Sequence, residues 1–198
     1  MISNVPLFPL NTVLFPDGNL PLRIFEARYL DLVSESLRTQ SAFGVCLITH
    51  GKETGTPAEF HEVGTFAHIV DWEKMNDGLL GITVRGGKRF RVLSKRIRKN
   101  KLQEGDVDTI DDNDEEELPV EYQLLSDLLR QIGEKFRLQH LSEHEKYLDA
   151  NWVGCRLAEL LPLELSDKQM LLETDDPVKR LGQIQTLLQT INMDQLNN

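Results

Sequence analysis

The chain has 198 residues, 40% of them hydrophobic, and a formal net charge of −10, which is length enough for one large or two small domains with a packed core. That composition excludes general disorder, and the negative balance argues against nucleic-acid binding as the default. No basic-then-apolar leader opens the chain and no window nears the ~18 uninterrupted apolar residues of a membrane helix, so a soluble, cytoplasmic protein is expected.

The first 25 residues carry Pro6, Pro9, Pro16 and Pro21 among Phe8, Leu10, Val13, Leu14, Phe15, Leu20, Leu22 and Ile24. Proline cannot donate to a strand ladder and biases its predecessor towards extended geometry. The pattern predicts short extended pieces with abrupt bends, as the corners of a small closed sheet need. Glu26 to Arg38 then reads as a helix, with Tyr29, Leu30, Val33 and Leu37 near the 3.6 period. Glu26 is placed to favour the helix start, and an arginine of the group Arg23, Arg28 to tie strand to helix by bidentate bonds. A ligand clamp made of Arg23, Glu26, Arg28 and Tyr29 is the alternative.

Strands follow over Ala42–Thr49 and Thr65–Val70. Asp77-Gly78 is a hairpin signal and Gly86-Gly87 a second turn, with Leu79–Val84 and Arg89–Leu93 as the strands after them. In the last strand Phe90 and Val92 share one face, Arg89 and Arg91 the other. Cys46 and Cys155 each sit in an apolar run outside any CxxC pair and read as small buried hydrophobes.

Nine Lys or Arg and no acid lie between Arg85 and Lys101; nine Asp or Glu and no base lie between Glu104 and Glu117. Like charge at that density predicts a solvated linker over 104–117, between a β domain at 1–103 and a helical subdomain at 118–198. In the helical part Val120, Leu124, Leu128, Ile132 and Phe136 fall at fours, with Leu125 and Leu129 beside them. Asp149–Asn151 is a break, Leu161-Pro162 a stop, and Asp176-Pro177 an N-cap with a first-turn proline. Ser142 with Glu145, and Ser166 with Gln169, have capping-box spacing. Val178, Leu181, Ile184, Leu187, Leu188 and Ile191 line a final stripe.

Taken in order, Pro6-Leu7-Phe8-Pro9-Leu10, Leu20-Pro21-Leu22-Arg23-Ile24-Phe25-Glu26, Arg28-Tyr29, Phe43-Gly44-Val45, Val63-Gly64-Thr65, Gly87-Lys88-Arg89-Phe90-Arg91-Val92, Leu160-Leu161-Pro162-Leu163 and Lys168-Gln169-Met170-Leu171-Leu172-Glu173 resemble the N-terminal, substrate-binding domain of Lon proteases. Ala27 stands where that family often has proline, and Asp17 where it often has glycine. The resemblance implies an α+β fold: a PUA-like β pseudobarrel with one packed helix, followed by an α-helical subdomain. It also implies a non-catalytic module that binds unfolded or apolar polypeptide or serves as an adaptor. No GxxxxGK[ST] phosphate loop occurs, so a stand-alone member without ATPase or protease domains is expected.

The residues offer little chemistry. Ser94-Lys95 is adjacent, but neighbours on a strand point to opposite faces. His140 and His144 would share a helix face, with no third ligand to name. No catalytic residue, metal or cofactor is therefore expected. The candidate partner-binding residues are Arg85, Lys88, Arg89 and Arg91 on the basic run, with Trp72 and Met75 ahead of the Asp77-Gly78 turn. Phe8, Phe15 and Trp152 could contribute to an apolar groove, although each reads equally as core. The alternative is an RNA-binding PUA-like protein using 85–101, unless the neighbouring acidic run neutralises that face.

Overall fold

The computed structural model describes residues 1–111, 116–138, 141 and 144–196. The chain divides into two compact units, Met1–Asp111 and Asp112–Asn198.

In the first unit the strands are β1 (Ile2–Leu10), β2 (Asn19–Ile24), β3 (Phe43–His50), β4 (Glu59–Lys74), β5 (Leu80–Ile97) and β6 (Gln103–Thr109), with α1 (Ala27–Thr39) between β2 and β3. The sheet order is β2-β5-β4-β3-β1-β6, and β5 also pairs with β6. That extra pairing closes β5, β4, β3, β1 and β6 into a ring, the closed-sheet remedy for open edges. β1 runs parallel to β3, with β2 and α1 in the crossover; the other pairings are antiparallel.

Phe8, Leu10, Ile24, Tyr29, Leu32, Val33, Phe43, Val45, Val84 and Leu102 form one apolar cluster, which joins β2 and α1 to the ring; Val5, Leu7, Cys46, Phe60, Phe90, Val92 and Val107, drawn from all five ring strands, form a second. The Phe8 and Tyr29 rings stack 3.8 Å apart. The helix α1 buries Tyr29, Leu32 and Val33 but leaves Leu30 and Leu37 exposed, so its core stripe is shifted from the one its sequence suggests. Glu26 holds the N-cap position without a side-chain cap bond. Its carboxylate pairs instead with Arg28 Nε at 3.1 Å.

The Asp77-Gly78 turn joins β4 to β5, with Gly78 at φ 84 and Met75 N–H donating to Leu79 O. Gly86-Gly87 is not a turn. It lies inside β5, where the register against β4 slips between Thr65 and Ala67. The reason is a close backbone approach: Asp17 N–H donates to Gly86 O, and a Cβ on Gly86 would overlap Phe15 O. Gly86→Ala is therefore expected to destabilise the protein by about 1–3 kcal/mol through overpacking, read as a lower urea midpoint.

The acidic segment does not begin as a linker. Its first residues are β6, a fully paired strand of the ring. The boundary between the compact units falls later, at Asp111.

The second unit holds short 3₁₀ turns at Val120–Tyr122 and His144–Leu148, then α2 (Gln123–Phe136), α3 (Ala150–Leu160), α4 (Leu165–Glu173) and α5 (Pro177–Leu196). Leu125, Leu129 and Gly133 face inward on α2, whereas Val120 is 91% exposed and Leu124 and Phe136 lie open. The stripe at fours is thus open at both ends and half-buried at Leu128 and Ile132. Asp149 caps α3 through Asn151 N–H, and Asp176 Oδ1 accepts from Lys179 N–H at 2.8 Å. At α4 the N-cap is Glu164, without a side-chain cap bond, so Ser166 does not cap; Ser142 lies outside the described residues. Trp152 and Cys155 are buried on α3, and Leu181 and Ile184 on α5. No described helix is long and apolar enough to cross a membrane.

Candidate functional site

β2 is the strand that the ring leaves over. Among the described residues it pairs with β5 only, in the register Asn19↔Arg85 to Ile24↔Leu80. Residues paired across antiparallel strands share a face. Pro21–Thr83–Asp71 and Arg23–Gly81–Glu73 therefore form two rows on the outer face of β2, β5 and β4. Leu20, Leu22 and Ile24 take the face that packs on the apolar cluster. Just before the strand, Gly86 N–H donates to Gly18 O at 2.8 Å. Hydrogen bonding to β5 thus falls on Gly18, Leu20, Leu22 and Ile24 by the alternation of an antiparallel ladder. Asn19, Pro21 and Arg23 turn their backbone groups to the open side, the one orientation in which a strand proline costs no ladder bond.

A cleft lies on each face of this strand. The inner one, about 320 Å³, is walled by Phe8, Leu10, Leu22, Phe25 and Tyr29, with Glu26 and Glu53 at its polar end. The outer one, about 280 Å³, is lined by Asp71, Trp72, Glu73, Met75 and Thr83. Pro21, Leu22 and Arg23 line both. Phe25 is 57% and Trp72 61% exposed, and each stands beside a cleft, where an open apolar side chain can serve as a contact. Arg23 is ion-paired with Asp77 on the β4–β5 turn.

Behind the inner cleft, Arg28 is buried and both of its terminal nitrogens are engaged. Its guanidinium donates to Lys101 O and Glu53 O, each at 3.2 Å, and lies over the Tyr29 ring. The Arg23–Tyr29 group therefore divides. Arg28 ties the helix start to two loops rather than to a strand, while Arg23 belongs to the cleft rim. Burial pushes the Tyr29 phenol up to about 12, against the pull of Arg28, so it carries no proton chemistry near neutrality.

The basic run takes a different course from the one its exposure on paper suggests. β5 and β6 are consecutive antiparallel strands with Arg96 opposite Glu104 and Ser94 opposite Asp106, so the first acids of the negative run meet the end of the positive run across one hairpin. Arg96 donates to Glu104 and to Asp106, each at 2.8 Å, and Arg98 pairs with Glu104 and Glu35. Arg85 pairs with Asp17 and Lys88 with Asp111. Arg89 is 1% exposed and cannot face a partner from that position. Its cross-strand neighbour Thr65 is also buried and donates to Leu14 O at 2.6 Å, because the β1–β2 connection crosses this face. Arg91 remains exposed. Trp72 and Met75, by contrast, meet at the outer cleft, where sequence order alone does not bring Pro21 and Arg23. Phe15 and Trp152 are core, and Phe8 is both core and cleft wall.

Hydrogen bonds from Arg96, Ser94 and the Asn4 N–H hold the Asp106 carboxyl down to about 2. Burial raises Glu104, but bonds from Arg98 and Arg96 outweigh it and leave it lowered. A depressed folded value stabilises above the unfolded carboxylate range and is lost as pH falls through the folded value. The hairpin is therefore expected to lose stability between pH about 4 and 2. In melting curves against pH, Asp106→Asn should flatten that acid limb; an unchanged limb would remove Asp106 as its cause.

Ser94 and Lys95 have separate partners: Ser94 donates to Asp106, and Lys95 lies over the Phe60 ring. Among the described residues no group of three or more His, Cys, Asp or Glu is arranged to hold a metal; His140 lies outside them. Both cysteines are buried and neither is in a disulfide.

Residues 4–190 match the family model of the ATP-dependent protease La (LON) substrate-binding domain. The chain belongs to this Lon domain family. It is 24% identical over 190 residues to the Lon protease of Dictyoglomus thermophilum and 28% over 197 residues to that of Trichlorobacter lovleyi. These alignments cover 91% and 93% of the chain but 23% of each relative, so the chain spans about a quarter of the length of the Lon proteases it matches. The crystal structure of a Lon N-terminal domain protein from Xanthomonas campestris superposes with a TM-score of 0.78 at 42% identity, covering 93% of this chain and 98% of that one. The N-terminal domain of a Mycobacterium avium complex Lon protease, 18% identical with a TM-score of 0.66, shares the fold and covers 92% of this chain and 96% of its own. The β ring followed by helices is thus the architecture of Lon N-terminal domains.

Proposed function

We propose that this Lon domain is a non-catalytic recognition module for exposed apolar stretches of non-native polypeptide, and that the clefts on either side of β2 are where they bind. The observation that carries the reading is Phe25 and Trp72, two large apolar side chains left open at the rims of clefts within a substrate-binding-domain family. An aromatic body is a common anchor for side chains that a partner presents. The RNA reading has less support, because Arg85, Lys88, Arg96 and Arg98 already have carboxylate partners and phosphate affinity depends on cations that do not.

The test is equilibrium binding to a reduced and alkylated, permanently unfolded protein. Phe25→Ser with Trp72→Ser is expected to weaken binding at least tenfold with little change in melting temperature, since both side chains are surface groups. Undiminished binding by that variant would place the site elsewhere. Absence of binding by the parent protein would end the reading.

A further inference from the structure

We propose that the open edge of β2 accepts an extended segment of another polypeptide as an added strand, and that the favoured segment alternates cationic with apolar residues. This deepens the reading above and rests on it. Three observations converge on the same three residues.

The first is backbone geometry. The proline at 21 and the Gly18–Gly86 bond fix which groups point outward: the Arg23 N–H and the carbonyls of Pro21 and Arg23. An incoming antiparallel strand would exchange two bonds with Arg23 and give one to Pro21 O. The missing Pro21 N–H makes this edge a poor template for indiscriminate pairing, as edges left open require.

The second is that Pro21, Leu22 and Arg23 line both clefts. Side chains of a strand alternate between faces. An added strand would therefore send successive side chains to the inner and the outer cleft in turn.

The third is charge. The outer cleft carries Asp71 and Glu73, and its one cation, Arg23, is drawn onto Asp77. The inner cleft is walled by Phe8, Leu10, Leu22 and Phe25. The outer face thus suits lysine or arginine and the inner face aliphatic side chains.

These three conditions are coupled. A docked residue opposite Pro21 or Arg23 bonds to the edge through its own N–H and shares their face. The residues whose amides bind are therefore the cationic ones. Acetyl-Val-Lys-Leu-Lys-Val-Lys-Leu-amide is the probe. Methylating its lysine amide nitrogens is expected to weaken binding at least tenfold, from about fivefold per backbone bond lost. Methylating the Val and Leu amide nitrogens instead should change it less than threefold. Equal effects in both series, or the reverse order, would overturn the proposal in favour of side-chain contacts only. If the parent peptide fails to bind while the unfolded protein binds, the edge proposal fails and the recognition reading stands; if neither binds, both fail.

A pair of variants checks the same point from the protein side. Arg23→Pro removes the outward N–H without touching the β5 ladder, and Arg23→Ala removes only the side chain. Arg23→Pro should bind the probe at least fivefold more weakly than Arg23→Ala, both retaining the parent circular-dichroism spectrum. Equal losses would overturn the edge pairing.

Discussion

Arg28→Ala is expected to cost the barrel unit about 3–5 kcal/mol, the range for removing one partner of a buried ion pair. Arg28 is buried against Tyr29, pairs with Glu26 and donates to the carbonyls of Glu53 and Lys101. Alanine leaves a carboxylate and two carbonyls without that donor, and each group left so carries its own desolvation cost. Lysine is expected to recover less than half the loss, because one ammonium cannot reach three acceptors arranged around a planar fork. Urea denaturation at neutral pH reads both. A loss below about 1 kcal/mol for Arg28→Ala would mean that the two loops find other partners. Hydrogen exchange should locate the damage at the start of α1 and in the residues around Glu53 and Lys101.

The helical unit has its own equivalent. Arg180 is 1% exposed; its Nε donates to Leu171 O at 2.9 Å, one terminal nitrogen to Asn151 Oδ1 at 2.7 Å and the other to Thr174 O. These acceptors lie on α3, on α4 and just past the end of α4, so one side chain on α5 fixes three elements. Gly154 gives room to its aliphatic stem, since a Cβ there would stand 3.3 Å from Arg180 Cδ. Arg180→Ala is expected to cost about 3 kcal/mol or more, since each buried acceptor left without a donor costs about 1–3 kcal/mol. Exchange protection should fall in α3 to α5 and stay near parent values in β1 to β6. Uniform loss across both units would contradict a role confined to the helices.

Much of the architecture was legible because it depends on local terms. The Asp77-Gly78 turn needs a residue at positive φ, and glycine supplies it. The start of α5 at Asp176-Pro177 is a side-chain bond and a fixed φ, both written in two adjacent residues. The order of Lon-like motifs carried the family. Where reading failed, a distant segment decided the outcome. Gly86-Gly87 looks like a turn until the β1–β2 connection arrives against it. Arg89 looks like a surface residue until that same connection crosses its face. On α2 both Leu124 and Leu125 are apolar, and only the neighbouring helices select Leu125 as the one to bury.

The candidate site was half visible. Trp72 and Met75 could be singled out as apolar residues beside a turn, but the strand they flank is set by pairing between residues about sixty positions apart. The opposite charges of 85–101 and 104–117 were plain, yet linker and hairpin are equally consistent with charge density alone. Register put Arg96 opposite Glu104 and Ser94 opposite Asp106, which gave part of the supposed basic surface its own carboxylate partners.

The amino-acid order by itself determined the Asp77-Gly78 turn, the caps at Asp149 and Asp176, most of the extended and helical stretches, and which family the series of motifs belongs to. These follow from torsional preference, caps and periodicity, all acting within a few residues. The tertiary structure alone decided which face of each element meets the core, which charges cancel, and that β2 is left with an open side between two clefts. Those outcomes depend on the closure of a ring by β5 and β6, and closure is a property of strands meeting in space.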